Sequence, residues 1–133
     1  MPLNPPAWLG TGAILGAAAV AIGAFGAHGL KSRVTPELLT VFETAARYHL
    51  IHALAIVAVA WACDRLPGSG AVQVGGWLFL CGIALFSGSL YLLVLTGARW
   101  LGAITPLGGL ALIGGWMSLA IAAFTAKPPT AGG

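Results

Sequence analysis

Apolar positions fall into four long segments, separated by short stretches in which Pro, Gly and charged side chains gather. A bilayer core is ~30 Å thick and takes about 20 residues of helix to cross, so four crossings consume about 80 residues. That leaves short connections and no room for a domain outside the membrane. The pattern predicts helices over residues 8–28, 36–63, 74–96 and 104–125, an all-α transmembrane bundle forming a single domain over 1–133.

The second segment departs from that simple picture. In FETAARYHLIHALAIVAVAWAC, residues 42–63, the run without an ionisable side chain reaches back from Cys63 only to Ala53. Such a run makes ~16 Å of helix, about half the thickness to be crossed. A span here therefore carries His52 and His49, with Arg47 close behind, into the lipid region.

Local signals place the helix ends. The Pro5-Pro6 pair introduces the first segment, and Thr35, Pro36 and Glu37 read as N-cap, first turn and an acid at the positive end of the dipole. From Pro36 to Cys63 there is no further Pro or Gly. One helix of ~42 Å is therefore possible, with its first turns lying along or projecting from the interface; a bend near Tyr48 is the alternative. DRLPGSGAV is a turn by its Pro-Gly-Ser-Gly content, GARWLGAITP connects the last two helices, and the tail KPPTAGG is too short and too rich in Pro and Gly to fold alone. No Lys or Arg precedes the first apolar run, which continues to Ala27, so it reads as a retained helix rather than a cleaved signal.

Composition agrees with a lipid environment. The chain is 59% hydrophobic and 7% charged, against about 45–50% and about 25% for a soluble domain. In lipid, helices are held by van der Waals contact, which favours small residues at their contacts. Gly12, Gly16, Ala19, Gly23 and Ala27 form such a stripe on the first helix, Ala84 and Gly88 repeat it on the third, and Gly114, Ser118 and Ala122 on the fourth. Cys63 and Cys81 lack metal or disulfide spacing and read as small buried apolar residues.

The net charge of +3 is scattered, with no basic run to follow a phosphate backbone, so no nucleic acid partner is expected. Four spans put both termini and the 64–73 turn on a near side, and the 29–47 segment and the 97–103 turn on a far side. Trp8, Trp61 and Trp77 then belong to the near interfacial belt and Trp100 to the far one, with Trp116 deeper. Lys31, Arg33, Arg47 and Arg99 on the far side outnumber Arg65 and Lys127, which favours a cytoplasmic far side and external termini.

The same topology gathers polar side chains toward the far end. His28 closes the first helix. Glu43, Arg47, Tyr48, His49 and His52 come from the second, Ser87, Ser89 and Tyr91 from the third, and Thr105 opens the fourth. Glu43 and Arg47 can pair along one face, with the arginine free to snorkel outward. His49 and His52 stand about 60° apart on a different face, nearly opposite that pair. Intramembrane ionisable residues suggest function, whereas neutral histidines bonded to Ser89, Tyr91 or carbonyls simply lock helices together.

No nucleophile elbow, carboxylate dyad or phosphate loop is present, so the expectation is a protein that is not an enzyme and holds no cofactor. Three functions stay open. One is an accessory or scaffold subunit bound to other membrane protein subunits or to itself as a homo-oligomer. Another is a transporter or proton relay using His28, His49, His52 and Tyr91. The last is a metal or haem site in which His28 joins His49 or His52, the ligands of any metal being undefined.

GAFGAHGLK, FETAARYHLIHALA, LFSGSLY and ITPLGGLALIGGW resemble the successive signature blocks of the domain-of-unknown-function 423 family. These are small bacterial membrane proteins with a mitochondrial relative called transmembrane protein 256, and the likeness covers about residues 10 to 120. It implies a multi-span helical protein, placed in the bacterial inner membrane, and brings no reaction, ligand or catalytic residue with it.

Overall fold

The computed structural model describes residues 1–128. Among them the chain forms helices and turns and no strand. Four helices are long and apolar enough to cross a membrane: α1 Pro5–Leu30, α2 Pro36–Arg65, α3 Gly70–Thr96 and α4 Arg99–Thr125. The tail beyond Pro128, expected not to fold alone, lies outside the described residues.

Each start has a local cause. Asn4 accepts a hydrogen bond from the Ala7 N–H ahead of the two prolines, so α1 begins three residues before the expected Trp8. Thr35 does the same for Leu38 at the head of α2. Ser69 caps α3 through Val72, which moves its start from the expected Val74 to Gly70. The fourth helix winds up through a 3-10 turn over Arg99–Ala103 before the α-helix from Thr105. Gly97 ends α3 in the left-handed conformation, φ 73°, which its missing Cβ allows. No bend interrupts α2 at Tyr48; it is one helix of 30 residues.

Neighbouring helices run antiparallel, with α1 against α2, α3 against α4, and α2 against α3 joining the two pairs. Glycines set how closely they approach. A methyl group on Gly12 would stand 2.8 Å from Val57 Cγ2 and 3.0 Å from the Ala53 carbonyl oxygen. At Gly26 it would meet the Phe42 ring at 2.7 Å, and at Gly115 the Phe79 ring at 2.5 Å. Gly108 lies directly on the Leu85–Phe86 backbone and Gly82 on Leu112. The small-residue stripes are therefore partly relocated. A methyl group on Gly16 would stand 3.9 Å from Ala53 Cβ and one on Gly114 3.2 Å from Leu78 Cδ1, but one on Gly23 would meet nothing within 4 Å. Ala84 is exposed, Gly88 meets only the Ile83 carbonyl of its own helix, and Ser118 is half-buried. On α3 the close contacts fall to Gly75, Gly76 and Gly82 instead.

Buried apolar residues form two clusters, with Trp8, Ile56, Val59, Val72, Phe79 and Leu112 toward the near end and Leu30, Phe42 and Val94 toward the far end. Trp8 is fully buried rather than an outward member of the interfacial belt. Its ring fills the space above Gly76, and its Nε1–H donates to Gln73. Trp61, Trp77 and Trp100 are exposed, as belt residues are. Cys81 faces outward and Cys63 is half-buried, so the expectation of two buried thiols does not hold for Cys81.

Candidate functional site

His52 and His49 sit one turn apart on the inner side of α2, 4% and 5% exposed. Both belong to the bundle interior and neither faces lipid. Their wiring differs. The Trp116 Nε1–H on α4 donates to His52 Nε2 at 3.1 Å, so that nitrogen must be an acceptor. His52 Nδ1 then carries the ring proton and donates it to the Tyr48 carbonyl at 2.7 Å. Both nitrogens are satisfied, and only the neutral imidazole fits the arrangement. Tyr48 stacks on the ring from one turn earlier, while Phe79 and Trp116 pack beside it. A groove of about 440 Å³ between α2 and α4 reaches this pair from the side, past Tyr48, Phe86 and Ile113.

His49 Nδ1 lies 3.0 Å from the Tyr91 hydroxyl on α3. With the tyrosine donating, a single donor, Nε2–H, remains unused. With the imidazole donating, both the phenol proton and the Nε2 lone pair would be stranded. The first assignment leaves less unsatisfied. His49 Nε2 is buried without a hydrogen-bond partner among the described residues. The Leu15 carbonyl of α1 approaches the ring but does not meet hydrogen-bond geometry with that nitrogen.

A widened π turn over Ile83–Gly88 organises the remaining polar contacts of α3. Such a turn frees carbonyls from the regular ladder, and in lipid they need other donors. Ser89 donates to the Phe86 carbonyl at 3.0 Å, and its hydroxyl shares a hydrogen bond of 2.7 Å with that of Thr105 on α4. Ser87 turns toward α2 and donates to the Ala45 carbonyl at 2.7 Å. Hydroxyls thus tie α3 to both neighbours within one stretch of sequence.

Of the ten polar residues grouped from sequence, His49, His52, Tyr48, Ser87, Ser89, Tyr91 and Thr105 take part in these contacts. His28, Glu43 and Arg47 do not. His28 is exposed on a π turn, Gly26–Leu30, that ends α1, away from the other two histidines. Glu43 and Arg47 are exposed on the outer side of α2. Among the described residues no group of three His, Cys, Asp or Glu gathers at one point.

Two further residues complete these networks outside the polar blocks. Trp116 stands out in the sequence only as a tryptophan too deep for the belt, and that depth is the signal that its N–H needs an internal acceptor. Gln73 organises the near end. Its Oε1 accepts from the Leu3 and Trp8 N–H groups, and its Nε2 donates to the Leu3 carbonyl and to Cys63 Sγ. An amide in an otherwise apolar segment could have flagged it.

Four apolar spans packed through glycine contacts, with interior polar groups tied mainly to one another and to helix carbonyls, define a small multi-pass helical membrane protein that associates with the lipid bilayer. The family described as Protein of unknown function (DUF423) matches residues 22–109, and the chain belongs to it. It is 50% identical over 112 residues to the UPF0382 membrane protein YwdK of Bacillus subtilis, covering 84% of this chain and 91% of that protein. It is 44% identical over 115 residues to the UPF0382 membrane protein SSP2132 of Staphylococcus saprophyticus, covering 85% and 92% respectively. No solved structure matches the chain.

Proposed function

We propose that the protein is a non-catalytic accessory or scaffold subunit of the bacterial inner membrane, with both termini external, that docks on other membrane proteins. The observation that carries this reading is the outer face of α1. Only 17% of its membrane window is buried within the chain, and Ala13, Ala17, Ala21 and Ala24 are exposed at spacings of three and four residues. Small side chains in that register let a second helix approach closely in lipid. The interior polar groups, by contrast, hold α2, α3 and α4 to each other, which is the work of a stable scaffold.

Extraction from native membranes in mild detergent, followed by identification of what co-purifies, tests the proposal. A membrane partner retained by the unchanged chain and lost with Ala17→Leu, at unchanged helicity, supports it. Recovery of a chain free of partners overturns it. A reporter fused beyond Lys127 tests the external termini.

A second reading, proton passage, draws on the unpartnered Nε2 of His49 alone. A pH-dependent flux across liposomes that disappears with His49→Ala would put it in place of the first. An absent flux, or one unchanged by that substitution, disposes of it.

A further inference from the structure

The outer stripe of α2 carries two charges where hydrocarbon is expected. Glu43 and Arg47 are one turn apart, both exposed, and point about 40° from each other on the side opposite His49. Their depth follows from the Ser87 bond to the Ala45 carbonyl, which levels this part of α2 with the middle of α3. All 27 residues of α3 are uncharged. Ser87 lies about 14 Å short of the far end of a helix ~40 Å long, so Ala45 is roughly 9 Å inside a 30 Å core, with Glu43 ~3 Å nearer the far interface and Arg47 ~3 Å deeper.

The arginine can snorkel toward the interface, whereas a carboxylate on a two-carbon stem covers only part of its ~6 Å. The stripe also has a spacing of its own. Thr40, Glu43, Arg47, Leu50, Leu54 and Trp61 are all exposed, and the first five alternate three- and four-residue steps. That is the seam of two parallel helices in a left-handed coiled coil. The next step of that repeat, Val57, packs against Gly12 of α1, so the stripe is open from Thr40 to Leu54.

We propose that this stripe is the contact between two copies of the chain, related by a two-fold axis along the membrane normal. Glu43 of each copy then pairs with Arg47 of the partner subunit. Under that symmetry each Glu43 lies one turn from two arginines, its own Arg47 and Arg47 of the partner subunit, against one like charge at its own level, Glu43 of the partner subunit. Leu50 and Leu54 continue the seam toward the near side as its apolar part. An anionic headgroup suits Arg47 but repels Glu43, whereas a second copy satisfies both. The surface is separate from the outer face of α1, so this dimer and the docking of another membrane protein stand or fall independently.

Crosslinking in vesicles at high lipid-to-protein ratio tests the dimer. In a background of Cys63→Ala and Cys81→Ala, Leu50→Cys crosslinks between copies, and Val20→Cys on the outer face of α1 does not. Adding Glu43→Arg or Arg47→Glu places like charges together and lowers the Leu50→Cys yield by about tenfold. The exchanged pair Glu43→Arg with Arg47→Glu restores it, which a purely structural effect of either substitution does not predict. Helical circular dichroism of each variant checks that it remains folded. Equal yields at the two cysteine positions, or an exchanged pair that stays uncoupled, overturns the proposal. So does a yield that follows the phosphatidylglycerol content of the vesicles instead of the charges at 43 and 47, which would mark a lipid headgroup as the occupant.

Discussion

His49 and His52 are the same residue type, on the same helix, one turn apart and equally hidden, yet they do different work. His52 has both nitrogens bonded, one across to Trp116 of α4 and one to the Tyr48 carbonyl. His49 is bonded once, to Tyr91 of α3, and keeps a buried nitrogen without a partner. Burial alone therefore does not sort structural from available histidines. What matters is whether the second nitrogen is used. His52 is a pin between helices, and its hydrogen bonds require the neutral ring. His49 retains one unused valence against α1, the helix with least of its window buried.

Four variants break or sharpen that difference. Gly108→Val has the largest expected effect, because its side chain meets the Leu85–Phe86 backbone, which cannot turn aside. It should cost about 3 kcal/mol, drive α4 from α3 and separate Trp116 from His52. Thermal unfolding in mild detergent measures the loss, and a midpoint within a degree of the unchanged chain would refute the close contact. His52→Leu strands the Trp116 N–H and should cost about 2 kcal/mol by the same measurement. Trp116→Phe keeps the ring contact with Phe79, 5.1 Å between centroids, and loses one hydrogen bond. It should cost about 1 kcal/mol.

The smallest effect is expected at the other histidine. His49→Leu combined with Tyr91→Phe removes a hydrogen bond and an unsatisfied nitrogen together, so stability should change by no more than about 0.5 kcal/mol. The contrast between His52→Leu and this pair is the sharp measurement. Equal losses would mean that His49 is held as firmly as His52, and the unpartnered nitrogen would lose its significance.

Much of the architecture was legible because a bilayer constrains it so strongly. Backbone groups in lipid must bond within their own segment, so long apolar runs ended by Pro, Gly and charge could only be spans. The polar blocks of α2, α3 and α4 met for the same reason, since an up-and-down bundle fixes which helix ends share a side. His28 failed to join them because a residue at the last turn of a helix can rotate outward, and no spacing rule prevents it. Gly23 and Ala84 make no close contact within the chain although Gly12 and Gly82 lie in deep contacts, and composition alone could not separate these cases.

Sequence by itself determined the four crossings, their order and the presence of two histidines at membrane depth. Tertiary structure decided which side of each helix turned inward, and hence that Trp116 reaches His52, that Tyr91 reaches His49 and that Glu43 and Arg47 are left outside. The reason is physical. In water the inner face of a helix is marked by its apolar residues, but here lipid and protein interior are both apolar. Only shape, glycine contacts and the few side chains that need a hydrogen bond can tell one from the other.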